Sequence, residues 1–167
     1  MMGNFNVRTT KDDSWLTPKY IIDVLGEFDL DPCCPETMPW TTAKVMWASN
    51  GLDDYWFGRV WLNPPYGDKT AKWLERMSEY RKGIALIFAR TDTKWWHRYI
   101  FERARSLFFF EGRLKFYDCH GNVAKSSAPA PSVLVAWSVE DSVILRMLIS
   151  RKGRLLVGVE TSMLFLL

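Results

Sequence analysis

At 167 residues the chain is long enough for one core-forming domain, and a single domain over residues 1–167 is expected. Hydrophobic residues at 48% and aromatics at 15%, nine of them tryptophan, exclude a linker or a disordered tail. No run reaches the ~18 apolar residues of a membrane span, and residues 1–13 hold no apolar signal core, so a cytoplasmic protein without a membrane partner is expected.

The net charge of +3 conceals two poles: residues 12–54 carry nine acidic and two basic side chains, residues 69–115 twelve basic and five acidic. Opposite poles suit a polyanion that meets one side only, the plainer alternative being a solvated helix face. Cysteines 33, 34 and 119 form neither a disulfide framework nor a metal-spaced set. A zinc site from Cys33, Cys119 and His120 would lack a fourth ligand, so no metal is expected. With only His97 and His120, a histidine-centred triad has little material.

In chain order, Thr17-Pro18 precedes Tyr20, Ile21, Val24 and Leu25 at helical spacing, which predicts a helix with Thr17 as N-cap and Pro18 at its first position. Strands are predicted at 28–31, 44–48 and 59–62, the second closed by the turn dipeptide Asn50-Gly51. A helix at about 69–81 leads to Ile84–Ala89, the most apolar strand candidate and a central one. A helix around 94–104, a strand at 107–110, a turn and hairpin arm at 112–116, and a strand at 133–137 after the loop 118–132 complete the pattern. Alternating strands and helices predict an α/β protein with a mostly parallel sheet ending in a β-hairpin. A helix at about 140–150 is expected, and Met163 to Leu167 reads as an edge strand or an interface.

The chemically informative segment is Asn63-Pro64-Pro65-Tyr66-Gly67, which follows Val60-Trp61-Leu62 directly. Proline lacks an N–H, so the Pro-Pro pair offers only carbonyl acceptors and forces an extended backbone before each ring. The Asn63 side-chain carbonyl and the Pro64 backbone carbonyl can accept the two hydrogens of one –NH2 group, while Tyr66 presents a flat face to a planar ring. The turn thus suits an amino-substituted base or an amide; the bland alternative is a proline-rich turn with Asn63 as a local cap. Arg90, Asp92, Lys94 and Trp95 after the central strand, and Arg113 with Lys115 in the hairpin, are the candidates for contacting phosphates and bases. One of Trp95 and Trp96 is expected in the core.

The ordered blocks Trp15-Leu16-Thr17-Pro18, Asp31-Pro32-Cys33, Asn50-Gly51-Leu52, Asn63-Pro64-Pro65-Tyr66-Gly67, Ala89-Arg90-Thr91-Asp92-Thr93 and Gly112-Arg113-Leu114-Lys115-Phe116 resemble the phage-type DNA N-6-adenine methyltransferase (Dam) family over about residues 14–137. The resemblance implies a Rossmann-like fold, S-adenosylmethionine as methyl donor and adenine in DNA as acceptor. It implies a catalytic turn of Asn63, Pro64, Pro65 and Tyr66, with the adenine flipped out of the duplex before transfer. It also implies a donor pocket in which Thr17 and Pro18 border the methionine end, Asp31 with Pro32 takes amino or ribose donors, and Asn50, Gly51 and Leu52 approach the adenosine. The sequence departs from many methyltransferases in lacking a glycine-rich loop after the first strand, where Asp31-Pro32-Cys33-Cys34-Pro35 stands instead. The rival readings are an enzyme with the same turn acting on RNA or on a protein glutamine, and a catalytically silent DNA-binding module.

Overall fold

The computed structural model describes residues 15–148 and 153–157. Three helices, one π-helical segment and seven strands alternate through the chain: α1 (Lys19–Leu25), β1 (Leu30–Asp31), β2 (Val45–Met46), β3 (Val60–Leu62), α2 (Thr70–Tyr80), β4 (Gly83–Phe88), the π-helical Trp96–Phe101, β5 (Ser106–Phe110), β6 (Ser132–Ala136), α3 (Val139–Met147) and β7 (Gly153–Val157). All seven strands form one sheet in the order β2-β1-β3-β4-β6-β5-β7.

The expected mostly parallel sheet is corrected by the ladders. β2, β1, β3 and β4 pair in parallel, but the ladders β4–β6, β6–β5 and β5–β7 are antiparallel and longer. The reason is that β6 inserts between β4 and β5 and runs against both, so β5 still shares the direction of β4. The expected hairpin arm is absent as well: residues 112–116 are irregular, because Leu114 and Phe116 are drawn into the core rather than into a ladder. Nor do helices fill the crossovers from β1 to β2 and from β2 to β3, which are loops.

Alternation along β4 explains the layering. Ile84, Leu86 and Phe88 pack with Ile21, Ile22 and Leu25 of α1 and Leu145 of α3. Ala85 and Ile87 face the other way, with Trp73, Leu74 and Met77 of α2 and with Trp96, Tyr99 and Ile100. A strand buried on both faces must be apolar throughout, and every residue of β4 is buried.

Thr17 does not cap α1. Pro18 takes the N-cap position with extended backbone and Lys19 begins the helix, which leaves the Thr17 hydroxyl without a capping role. The π-helical segment replaces the α-helix expected at 94–104. It buries Trp96, Tyr99 and Ile100, so of the adjacent tryptophans Trp96 is core and Trp95 is half-buried. α3 starts one residue before its expected position, on Ser138, whose hydroxyl accepts from Asp141 N. β7 occupies the start of the apolar tail; Met163 to Leu167 lies outside the described residues.

The floor of the sheet is held by one buried ion pair. Arg59 Nε donates to Asp141 Oδ1 at 2.7 Å, while Asp141 Oδ2 accepts from Gly83 N and from Ser138 Oγ, each at 2.7 Å. Arg59 Nη1 donates to the carbonyls of Leu25 and Glu27, and its guanidinium lies over the Phe28 ring. Asp141→Ala strands the arginine charge and the Gly83 amide, and is expected to lower the unfolding free energy by about 3–5 kcal/mol in urea titration. Val139→Ala, on the exposed side of the same helix, is expected to stay within about 0.5 kcal/mol of wild type.

Candidate active site

At the opposite ends of these strands lies a cavity of about 630 Å³, walled by the loops that leave β1, β2 and β3 and by residues 15–17. A second cavity of about 500 Å³ adjoins it, bounded by Phe88, Phe116 and residues 124–129. Trp15 and Tyr66 border both.

The turn after β3 is braced on three sides. Asn63 Nδ2 donates to the Trp15 carbonyl at 3.1 Å, and the Cys33 thiol donates to the Asn63 carbonyl at 3.3 Å. Thr70 Oγ1, at the start of α2, donates to the Pro65 carbonyl and accepts from Gly67 N. With the amide nitrogen of Asn63 engaged, its Oδ1 is turned away, buried and without a partner. An orphaned buried acceptor costs about 1–3 kcal/mol. Tyr66 stacks on Phe88, ring centroids 4.0 Å apart and planes 9° from parallel. The residue is 39% exposed, but desolvation around its hydroxyl raises the phenol above the ordinary tyrosine range, so it stays protonated.

The wall of the large cavity away from this turn gathers residues that the sequence scatters. Asp31, buried at the end of β1, accepts from Cys33 N at 3.1 Å and from the Thr42 hydroxyl. Desolvation pushes its carboxyl up to about 6, against the pull of those two hydrogen bonds. Desolvation also raises the thiols of Cys33 and Cys34, that of Cys34 to about 11, so these two stay neutral at physiological pH and Cys33 remains a hydrogen-bond donor. Thr17 Oγ1 is buried without a partner on the same wall. Asn50 takes a left-handed conformation at φ 58°, and its carbonyl accepts from Asp53 N and Asp54 N. A Cβ on Gly51 would stand 1.7 Å from the Pro32 carbonyl oxygen, so only glycine lets the two loops touch.

Of the residues expected at the donor pocket, Thr17, Asp31, Pro32, Asn50 and Gly51 come together on the large cavity with Asn63, Pro64, Pro65 and Tyr66. Pro18 and Leu52 stand behind its wall; Leu52 packs into the core, and its carbonyl accepts from Arg76 Nη1. Arg90, Asp92 and Lys94 are exposed on the turn that leaves β4, with Trp95 half-buried beside Trp96. Arg113 and Lys115 are exposed too, but they border a separate recess against α1. Sequence reasoning missed Thr42, Cys119, Phe88, Phe116 and the stretch 124–129 as site walls. Backbone hydrogen bonds of 2.8 Å from Ala124 N to Phe116 O and from Ala128 N to Leu114 O place that stretch, and no local motif announces such pairing.

Among the described residues no three histidine, cysteine, aspartate or glutamate side chains gather to hold a metal, and no helix is long and apolar enough to cross a membrane. No curated protein and no solved structure matches the chain. The family model for DNA N-6-adenine-methyltransferase (Dam) matches residues 4–157 and so takes in every wall of both cavities: the chain belongs to the Dam family.

Proposed function

We propose that the protein transfers a methyl group from S-adenosylmethionine to the N6 amine of an adenine turned out of DNA. The observation that carries this reading is the unpartnered Asn63 Oδ1 in a turn that Trp15, Cys33 and Thr70 hold at Asn63 and Pro65. S-adenosylmethionine, when bound, supplies a methyl group already activated on a sulfonium. The residues present suit it: the orphaned Thr17 hydroxyl and the Asp31 carboxylate offer partners for amino and hydroxyl groups, and Gly51 keeps the backbone of the β2 loop close against Pro32.

On the acceptor side the chain's work is positioning. The N6 lone pair of adenine is conjugated into the ring and is a poor nucleophile. Asn63 Oδ1 and the Pro64 carbonyl accept the two N6 hydrogens, steer the nitrogen towards tetrahedral geometry and stand where positive charge develops. No base with a tuned pKa is needed at that atom. Turning the base out costs a few kcal/mol, and stacking on Tyr66, backed by Phe88, returns ~1–3 kcal/mol of it. The five strands of common direction, with the reversed β6 between β4 and β5, support a Rossmann-like reading in which ligands meet at the carboxyl ends. Arg90, Asp92, Lys94 and Trp95 beside that end, and Lys125 on the second cavity, are the nearest groups for the DNA strand; Arg113 and Lys115 would touch only its flank.

Incubation with labelled donor and separate DNA, RNA and protein acceptors should place label in DNA as N6-methyladenine, read by nucleoside mass spectrometry. Label confined to RNA or protein would move the reading to another acceptor, and none at all would favour a silent DNA-binding module. Asn63→Ala should cut transfer by about a hundredfold or more while leaving salt-dependent DNA binding largely intact. Tyr66→Ala should cost more than Tyr66→Phe, since the ring face matters and the hydroxyl does not.

Asp31 sets a pH dependence with a definite sign. Its carboxyl is raised from 3.8 to about 6, so it becomes a full acceptor only above that pH. Donor affinity by calorimetry should therefore rise from about pH 5 to about pH 7 and then level off, and Asp31→Asn should flatten the profile. Folding stability runs the other way: the folded state holds this proton more tightly, so its contribution is full below about pH 4 and is lost as pH climbs through about 6.

A further inference from the structure

We propose that Trp15 is a base-contacting residue, its indole closing over the face of the acceptor ring that Tyr66 does not cover; this rests on the methyl-transfer reading above. Tyr66 has only one free face, because Phe88 is stacked on the other at 4.0 Å. A planar ring lying on that face would show its far side to water unless a second wall meets it. Among the described residues Trp15 and Tyr66 are the two that border both the donor cavity and the adjoining one, so Trp15 stands at their junction.

Its exposure is also out of character for this chain. Of the nine tryptophans Trp15 alone is in the exposed class, at 41%, while five are buried and three half-buried. A lone exposed aromatic is ordinary in itself. Here the backbone beneath it is fixed from two directions: the Trp15 carbonyl accepts from Asn63 Nδ2 at 3.1 Å, and Leu16 exchanges hydrogen bonds of 2.8 and 3.0 Å with Tyr117. A large flat side chain on a rigid stem at a cavity mouth loses little entropy when a ring settles against it. The same residue therefore holds the acceptor side chain with its carbonyl and meets the base with its indole.

Trp15→Ala, Trp15→Leu and Trp15→Phe all keep the carbonyl, so the Asn63 brace survives in each and the ring is tested alone. The alanine and leucine variants should lose about ten- to a hundredfold in kcat/KM for DNA, with S-adenosylmethionine affinity by calorimetry within about twofold of wild type. Trp15→Phe should recover most of the rate. The proposal is overturned if Trp15→Ala matches wild type, if leucine serves as well as phenylalanine, or if the loss lies in donor affinity alone. A wild-type protein that methylates no DNA would sink the functional reading and this one together, whereas an active wild type indifferent to Trp15 would sink only this one.

Discussion

Arg59 and Asp141, 82 residues apart, make the one contact on which the placing of the other elements depends. Through them the end of α1, the approach to β1, the start of β3, the start of β4 and the first turn of α3 meet at one point. Both charges are largely shielded from water, with side-chain exposures of 17% and 2%, and nearly every polar atom of the pair finds a partner. Such a pair adds little net stability over an apolar one, but it tolerates few other arrangements. It fixes the stagger of β1, β3 and β4 at their amino ends. Because Leu30 lies opposite Val60, and Val60 opposite Gly83, the carboxyl ends of these strands must then open side by side. The cavity is the consequence at the far end of the sheet.

What could be read in advance divides along the same line. Strands with continuous apolar runs, such as Ile84–Phe88, and the Asn-Pro-Pro-Tyr turn carry their information in adjacent residues, and they stand where local pattern puts them. β6 does not: nothing within Ser132–Ala136 says that it will slip between β4 and β5 instead of extending the edge, and that choice turned a mostly parallel expectation into a mixed sheet. Residues 112–116 have the look of a hairpin arm, yet Leu114 and Phe116 are buried in the core and the segment forms no ladder. The second cavity was equally illegible, since it depends on Phe116 and Leu114 holding residues 124–128 by backbone hydrogen bonds and by packing with Ala128. Where a glycine-rich loop is missing, Gly51 of the next loop packs its backbone directly on the Pro32 carbonyl.

The charge asymmetry also changes meaning in three dimensions. Arg76 donates to the carbonyls of Leu52 and Asp54 and lies over Trp56, and Arg103 reaches Ser78 and Glu79 while facing the Tyr99 ring. These cations serve the fold, so the basic half of the sequence overstates the basic surface. Arg90 and Lys94 lie at the carboxyl end of β4, two and six residues beyond Phe88, and Lys125 borders the second cavity itself. A charge count therefore points to a polyanion, while position decides which cations meet it.

The turn at Asn63 shows how the chain can store an interaction it does not use. The Trp15 carbonyl takes the amide nitrogen of Asn63, and the Cys33 thiol takes its main-chain oxygen. That leaves the side-chain Oδ1 buried without a partner, in a segment whose prolines can supply no donor to fill it. The bracing prevents a compensating rotation, because turning the amide to satisfy Oδ1 would break the bond to Trp15. The brace therefore holds Oδ1 in one orientation. The rigidity comes from Trp15 and Cys33, residues 48 and 30 positions away, so the chemistry of the tetrapeptide belongs to the fold around it as much as to its own sequence.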